Sequence, residues 1–344
     1  MNTPSYLLIE DRLIHNYQSM CIRMEPCKVA YSMKANPCPQ IPAVLSKTQA
    51  WFEVSSIAEA ETLQACGIAP DRMYCGLVAT SQAELTKLET IGCRAFTFDT
   101  FRQAEKIKYL RYPSNKILRV RVNDLVVDSI GFGMPYDTIL QNPDILKETD
   151  GLSFHISDHT DMNKTIAAVD RLVTLAEFSP SVTFLNIGGS YSLSGNDEDY
   201  RILRTHLKDI QQHTGLDIIC EPGSAIVDTS MYALTRCVMV CEQEGFTDVF
   251  IDGGIPSGMM RKPGRIMNLT GETAVRRHFY RFFDTTSMKK LLFQMHLAFR
   301  IQEDDLLCLT DYGAYSYCYS NIFHSRPLPT ISVIKEEALI EQLV

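Results

Sequence analysis

No stretch of the 344-residue chain stays apolar for anything near the roughly 20 residues that cross a bilayer. The opening segment, MNTPSYLLIEDRL, has no basic run and reaches acids at Glu10 and Asp11, so it does not read as a secretory signal. Basic residues are in deficit, 33 Lys and Arg against 41 Asp and Glu. A net charge of −8 argues against a nucleic-acid or anionic-membrane partner. Low-complexity tracts are missing. Eleven cysteines are present, an odd number with no CxxC pair, which excludes a disulfide framework and reads as reduced thiols of a cytoplasmic protein. Cys237 and Cys241 have no nearby histidines and make no metal site. What remains is an ordinary globular composition, 45% hydrophobic, with room for one large domain or two smaller ones.

Short apolar runs alternate with longer stretches of helical period. Strands are expected at 28–33, 51–54, 72–76, 95–98, 116–122, 152–156, 182–187 and 217–220. Between them lie amphipathic segments such as SIAEAETLQACG, where Ser56 and Glu59 have capping-box spacing and Gly67 marks the stop. SQAELTKLETIG and NDEDYRILRTHLKDIQQHTG are two more. Eight strands separated by helices is the count of a (β/α)8 barrel, with a doubly wound open sheet as the competing arrangement. From about residue 233 the alternation gives way to strand-like runs, VMVCEQ, DVFIDGG and LLCLTDYGAY, which imply a second, mainly β domain.

The strand ends favour the barrel, whose active sites form at the carboxyl rim. In VAYSMKANPCP an apolar run meets Lys34, and Pro37 and Pro39 then forbid the strand to continue. The sixth strand carries His155, the seventh runs into Gly188, Gly189 and Ser190, and the eighth into Glu221, Pro222, Gly223 and Ser224. A lysine, a carboxylate and two glycine loops are the parts that hold pyridoxal 5'-phosphate. The amine bonds the aldehyde, the carboxylate keeps the pyridine nitrogen protonated, and backbone N–H groups take the phosphate. The His155 imidazole could lie against the flat ring. The spacing HISDH suits zinc only on a helix, so His155 and His159 are not read as metal ligands.

The motifs YSMKAN, FEVSSIAEAE, GLSFHIS, NIGGSY, EPGSAIV, DGGIPSGMMRKP and DYGAYSYCYSNIFHSRPLP stand in one order along nearly the whole chain. Together with the opening TPSYLLIEDRLIHNY, they resemble the fold-type III pyridoxal-phosphate decarboxylases of the diaminopimelate, ornithine and carboxynorspermidine type. The resemblance implies a TIM-type barrel followed by a β-domain, as in alanine racemase and ornithine decarboxylase, and an active site shared across a homodimer. It makes Lys34 the Schiff-base lysine, His155 the ring-stacking residue and Glu221 the pyridine-nitrogen partner. Glu53 would support the cofactor, and Gly188, Gly189, Ser190, Gly223 and Ser224 would line the phosphate site with Tyr315. Arg261 would grip a substrate carboxylate through its planar fork.

Several positions depart from the family pattern. Ser157-Asp158 replaces Gly-Ser after the histidine, Ser190 replaces a third glycine, and Ser224 stands where an arginine is common. The family's cysteine-containing interface loop falls on FDTTSMKKLL, with Thr286 in place of the cysteine and Lys290 in place of the acid that binds a distal amine. The implied domains are an N-terminal strand and helix (1–24) packing with the β-domain, the barrel (25–232) and the β-domain (233–344). The implied function is decarboxylation of an amino acid or conjugate whose far end is anionic or bulky. A non-catalytic cofactor-binding relative is the alternative, and a racemase a more distant one.

Overall fold

The computed structural model describes residues 2–122, residue 125, and residues 131–157, 161–271 and 274–338. It divides into two compact units, Tyr17–Ala225 and the combination of Met1–Asn16 with Ile226–Val344.

In Tyr17–Ala225 eight parallel strands form a closed barrel. They are β1 (Lys28–Ser32), β2 (Trp51–Val54), β3 (Met73–Cys75), β4 (Ala95–Phe98), β5 (Asn115–Arg121), β6 (Gly151–Ser153), β7 (Phe184–Asn186) and β8 (Asp217–Cys220). Each pairs with the next, and β8 returns to β1 through Ile219↔Lys28 and Cys220↔Val29. The open-sheet arrangement is thereby ruled out. Every expected strand is present. The chief difference is at β6, which ends at Ser153 and leaves His155 in the loop beyond.

The barrel interior is apolar at one level, where Ala30, Ile117 and Ile219 are buried against Trp51, Ala95 and Phe184. The Phe184 ring leaves no space for a side chain at Gly151. Nearer the carboxyl ends the strands turn polar, with Ser32, Glu53, Ser153 and Asn186 all buried.

The intervening helices carry their own stop and start signals. Helix Gln82–Ile91 has a complete capping box of Ser81 and Glu84, and Gly92 follows it. Helix Asp197–Thr214 is capped by Asn196, whose side chain accepts from the Glu198 amide, and closed by Gly215 at φ 73°. In helix Ile57–Ala65 the Ser56 hydroxyl accepts from the Glu59 amide, but the Glu59 carboxylate reaches past Ser56 to the Ser55 amide.

The second unit is an eight-stranded mixed sheet. Six strands run in the order Ile266–Asn268, Leu306–Leu309, Met231–Gln243, Phe246–Ile251, Ala274–Asp284 and Leu291–Phe299. Ser5–Ile9 adds antiparallel to Met231–Gln243 and parallel to Thr330–Ile334. Its core gathers Tyr6, Val249, Ile251, Phe282, Phe293, Leu307 and Tyr312. Phe282 and Phe293 are register partners and stack with centroids 4.6 Å apart, a cross-strand pair that pins the hairpin.

The segment FDTTSMKKLL, read from the sequence as a loop, is the loop at the tip of that hairpin together with the strand ends on either side. No Gly, Pro or Asn-Gly announces the turn. It is closed by Asp284, whose carboxylate accepts from the Lys290 amide at 2.9 Å and from the Thr286 hydroxyl at 2.8 Å. Among the described residues all eleven cysteines are free, and no helix is long and apolar enough to cross a membrane.

Candidate active site

The chain leaves β1 through a single 3-10 turn, Met33–Ala35. Met33 and Ala35 are fully buried and Lys34 between them is exposed. Tyr31 donates its hydroxyl to the Asn36 carbonyl, and the Cys38 amide donates to Asn36 Oδ1, which fixes the exit from the turn. The Ser32 amide donates to the Pro222 carbonyl, joining this turn to the loop after β8. Gly223 allows that approach, because a Cβ there would lie 2.7 Å from Ala35 Cβ.

Glu221 follows β8 directly. Its Oε1 accepts two hydrogen bonds, from the Tyr74 hydroxyl at 2.7 Å and from Asn186 Nδ2 at 2.6 Å. Oε2 is left without a donor among the described residues. Burial pushes the Tyr74 phenol well above its ordinary range, and the neighbouring Glu221 charge adds to the shift, so the phenol stays a neutral donor. Asn186 also takes the Gly188 amide on Oδ1 at 3.0 Å, and the Glu221 amide donates to the Gly188 carbonyl at 2.7 Å. One asparagine thus ties the glycine loop to the carboxylate. Neither Tyr74 nor Asn186 stood out as a site residue in the sequence. The one available signal was an amide ending an otherwise apolar strand.

The glycine loop is sterically required. Gly188 has φ 69°, and a Cβ on it would lie 2.5 Å from the Phe154 carbonyl oxygen; one on Gly189 would lie 2.5 Å from the Glu221 carbonyl oxygen. The Gly189 amide donates to His155 Nδ1 at 3.4 Å, which makes Nδ1 the acceptor and places the proton of the neutral ring on Nε2. Ser190 has φ 69°, the left-handed conformation that favours glycine. Ser190 and Ser224 are both exposed. Asp158 and His159 lie outside the described residues.

Two acids flank the lysine turn. Glu53 is 2% exposed and accepts from Ser32 Oγ on one oxygen and from Ser55 Oγ, at 2.9 Å, on the other. Gly76 leaves it space, since any side chain there would overlap Oε1. The Ser55 amide donates to Glu59 at 2.6 Å. Burial pushes the Glu59 carboxyl up to about 7. The Ser55 hydrogen bond and the Lys34 charge oppose that rise, and the Glu53 charge adds to it.

In the second unit Arg261 is fully engaged. Nη1 donates to Asp228 Oδ2 at 3.3 Å, Nε donates to Ser316 Oγ at 3.1 Å, and Nη2 donates to both Asp228 Oδ1 and the Asp311 carbonyl. The carboxylate in its fork therefore comes from its own chain. Tyr315 is 42% exposed, has φ 48°, and stacks on Tyr319 with centroids 6.4 Å apart. Thr286 is 7% exposed and its hydroxyl donates a hydrogen bond to Asp284, which makes it a turn-closing group. Lys290 is exposed beside Lys289, whose Nζ lies 5.4 Å from the Phe250 ring centroid.

Residues 10–228 match the model of the pyridoxal-binding domain of pyridoxal-dependent decarboxylases. The chain belongs to that family. It is 24% identical to the ornithine decarboxylase of Schizosaccharomyces pombe over 326 residues, 86% of this chain and 74% of the yeast protein. It is 28% identical to the lysine/ornithine decarboxylase of Selenomonas ruminantium over 207 residues, 55% of this chain and 51% of that protein. Among solved structures, the arginine decarboxylase of Paramecium bursaria Chlorella virus superposes with a TM-score of 0.86 at 16% identity, over 97% of this chain and 96% of that one.

The cofactor of this family is pyridoxal phosphate, and the residues present fit it. An exposed amine stands on a rigid turn. A carboxylate is oriented through one oxygen and has the other to spare. Three glycines, Gly188, Gly189 and Gly223, let the loop backbones pack where a Cβ would strike Phe154, Glu221 or Ala35, which leaves backbone N–H groups in the loops beside the carboxylate and the lysine turn.

Proposed function

We propose that this family member decarboxylates an amino acid or amino-acid conjugate in a biosynthetic pathway, as a cytoplasmic homodimer. The observation that carries the reading is the Glu221 carboxylate, held through Oε1 by Tyr74 and Asn186 with Oε2 left for a partner. In this reading Oε2 takes the protonated pyridine nitrogen. Lys34 holds the cofactor aldehyde through Nζ, and Glu53 steadies the turn beneath it through Ser32. His155 lies against the ring, its orientation set by the Gly189 amide. Gly188, Gly189, Ser190, Gly223 and Ser224 offer donors to the phosphate, with Tyr315 the further hydroxyl that the family resemblance implies. Bound there, pyridoxal phosphate supplies a conjugated ring that accepts the electron pair released as carbon dioxide leaves.

The substrate reading rests on the hairpin tip, where Lys289 and Lys290 are both exposed. A cationic tip favours a substrate whose distal end is anionic and disfavours simple diamino acids. Dimerisation is supported by apolar side chains left exposed on the second unit, Met288 at 61% and Ile322 at 73% among them. They stand on loops joined by the Ser287–His324 hydrogen bond of 2.9 Å.

The deciding experiment is carbon dioxide release from a panel of amino acids, with sedimentation of the purified protein alongside. Release that is lost in Lys34→Ala, together with a dimer at working concentration, supports the reading. No release from any amino acid by cofactor-loaded protein would leave the chain a non-catalytic member of the family. Mixing Lys34→Ala with Tyr315→Phe subunits should restore activity if sites are shared between subunits.

A further inference from the structure

Ile117, Arg119 and Arg121 alternate along β5, and Ile117 is buried in the apolar layer inside the barrel with Ala30, Tyr74 and Ile219. Residues two apart share a face of a strand, so Arg119 and Arg121 stand above Ile117 on the barrel-facing side. Lys116, one residue out of phase, pairs instead with Glu148 at 3.0 Å. Arg121 is the last residue of the strand and so lies at the carboxyl rim, where barrel active sites form. Pairing sets Arg119 opposite Ser153 of β6. Carried two residues on, the same register sets Arg121 level with His155. Around the barrel β5 lies opposite β1, the strand that leads to Lys34.

Arg121 is half-buried, and its Nη2 donates to the Gly131 carbonyl. Its Nε is buried with no acceptor among the described residues. Asp99, the acid just beyond the end of the neighbouring β4, is turned to the Gly133 amide, which donates to it at 3.1 Å. A guanidinium cannot shed its charge, and buried N–H groups in folded chains are nearly always paired. An arginine with an open, buried Nε at the mouth of the barrel therefore marks a place for an incoming acceptor, and its planar fork suits a carboxylate best. In the second unit the fork of Arg261 is already closed by Asp228.

We propose that Arg121 is a specificity-determining residue that takes a side-chain carboxylate of the substrate, so that the substrate is an amino acid with a second carboxylate that the reaction keeps. The proposal rests on the reading of the chain as an amino-acid decarboxylase and names a substrate class for that site. The carboxylate held is not the one that leaves. An arginine on the leaving group would bind it most tightly before the bond breaks, since the charge fades as carbon dioxide forms, and would slow the step. On a carboxylate that stays, the same contact orients the substrate at no such cost.

The test measures binding to the full-length, cofactor-loaded protein by calorimetry, so that it does not depend on turnover. The probes are the acids L-aspartate, L-glutamate, L-2-aminoadipate and L-2-aminopimelate, each against its neutral side-chain amide. At least one acid should bind about tenfold or more tightly than its amide. Arg121→Gln should remove that difference and leave the affinities for the amide and for pyridoxal phosphate unaltered. Arg121→Lys keeps the charge and loses the fork, so it should keep only part of the preference; it is the deciding variant if the glutamine form does not fold. In carbon dioxide release the loss should fall mainly on KM. No preference for any acid over its amide, or a preference that survives in Arg121→Gln, would overturn the assignment. An acid held through Arg121, with no carbon dioxide released from any amino acid, would instead overturn the decarboxylase reading and leave the binding role in place.

Discussion

Asn186 donates to Glu221 across 2.6 Å and, with the other end of the same amide group, accepts from Gly188. The residue that aims the carboxylate is thus also the residue that shapes the glycine loop. Removing a hydrogen bond to a charged group costs about 1.5–3 kcal/mol, which corresponds to roughly 10- to 100-fold in rate. Asn186→Ala should lower kcat for carbon dioxide release by that factor and weaken cofactor binding at the same time. Glu221→Gln should cost several orders of magnitude in kcat, because a neutral pyridine is a poor electron sink. A near-normal rate in Glu221→Gln would remove Glu221 from the mechanism.

Lys34→Ala should abolish covalent attachment of the cofactor and leave thermal stability close to that of the wild type, since the Lys34 side chain is exposed and its buried neighbours Met33 and Ala35 are untouched. Mass spectrometry after borohydride reduction is the measurement. An adduct on any other lysine rejects the assignment.

Glu59 makes a pH prediction. Its carboxyl is pushed up to about 7 by burial, against an ordinary value of 4.5. Between those values the folded chain keeps a proton that the unfolded chain has released. The stability from this group is therefore full below 4.5 and falls as the pH rises towards 7. The shift corresponds to about 3 kcal/mol. Glu59→Gln preserves an acceptor for the Ser55 amide and removes the titration. Urea melts should show the variant matching wild type near pH 5 and exceeding it by up to that amount near pH 8. A constant difference across the range would refute the prediction.

At the hairpin tip, Lys290→Asp should shift preference towards substrates with a distal ammonium. Two unit charges about 4 Å apart interact by roughly 4 kcal/mol at an effective dielectric of 20, enough to reorder a substrate panel. Efficient turnover of ornithine, lysine or diaminopimelate by the wild type, or an unchanged order in the variant, would reject the charge reading.

The barrel was legible because each parallel strand is buried on both faces and reads as an unbroken apolar run, as in KVAYSM and DIIC, with helix caps such as Ser81 and Gly215 between. Lys34, His155, the glycines and Glu221 were legible because each interrupts such a run at its carboxyl end. Tyr74 and Asn186 were hidden for the opposite reason. A tyrosine and an asparagine within three-residue strands look like packing until barrel closure brings both side chains onto the Glu221 carboxylate. The hairpin around Asp284 was missed because its turn is made by a side chain and not by a turn residue. The Asp228–Arg261 pair was out of reach because it joins positions 33 residues apart that share no motif.

The Met33–Ala35 turn carries a consequence for how the amine travels. With both neighbours sealed in the interior, the backbone at Lys34 behaves as a fixed mast and only the four methylenes above it can swing. The amine would then hold a cofactor aldehyde by a short stroke of one side chain, while the backbone beneath it stays still. Lengthening or loosening that mounting, for example by replacing Ala35 with glycine, would trade a short, repeatable stroke for a wandering one.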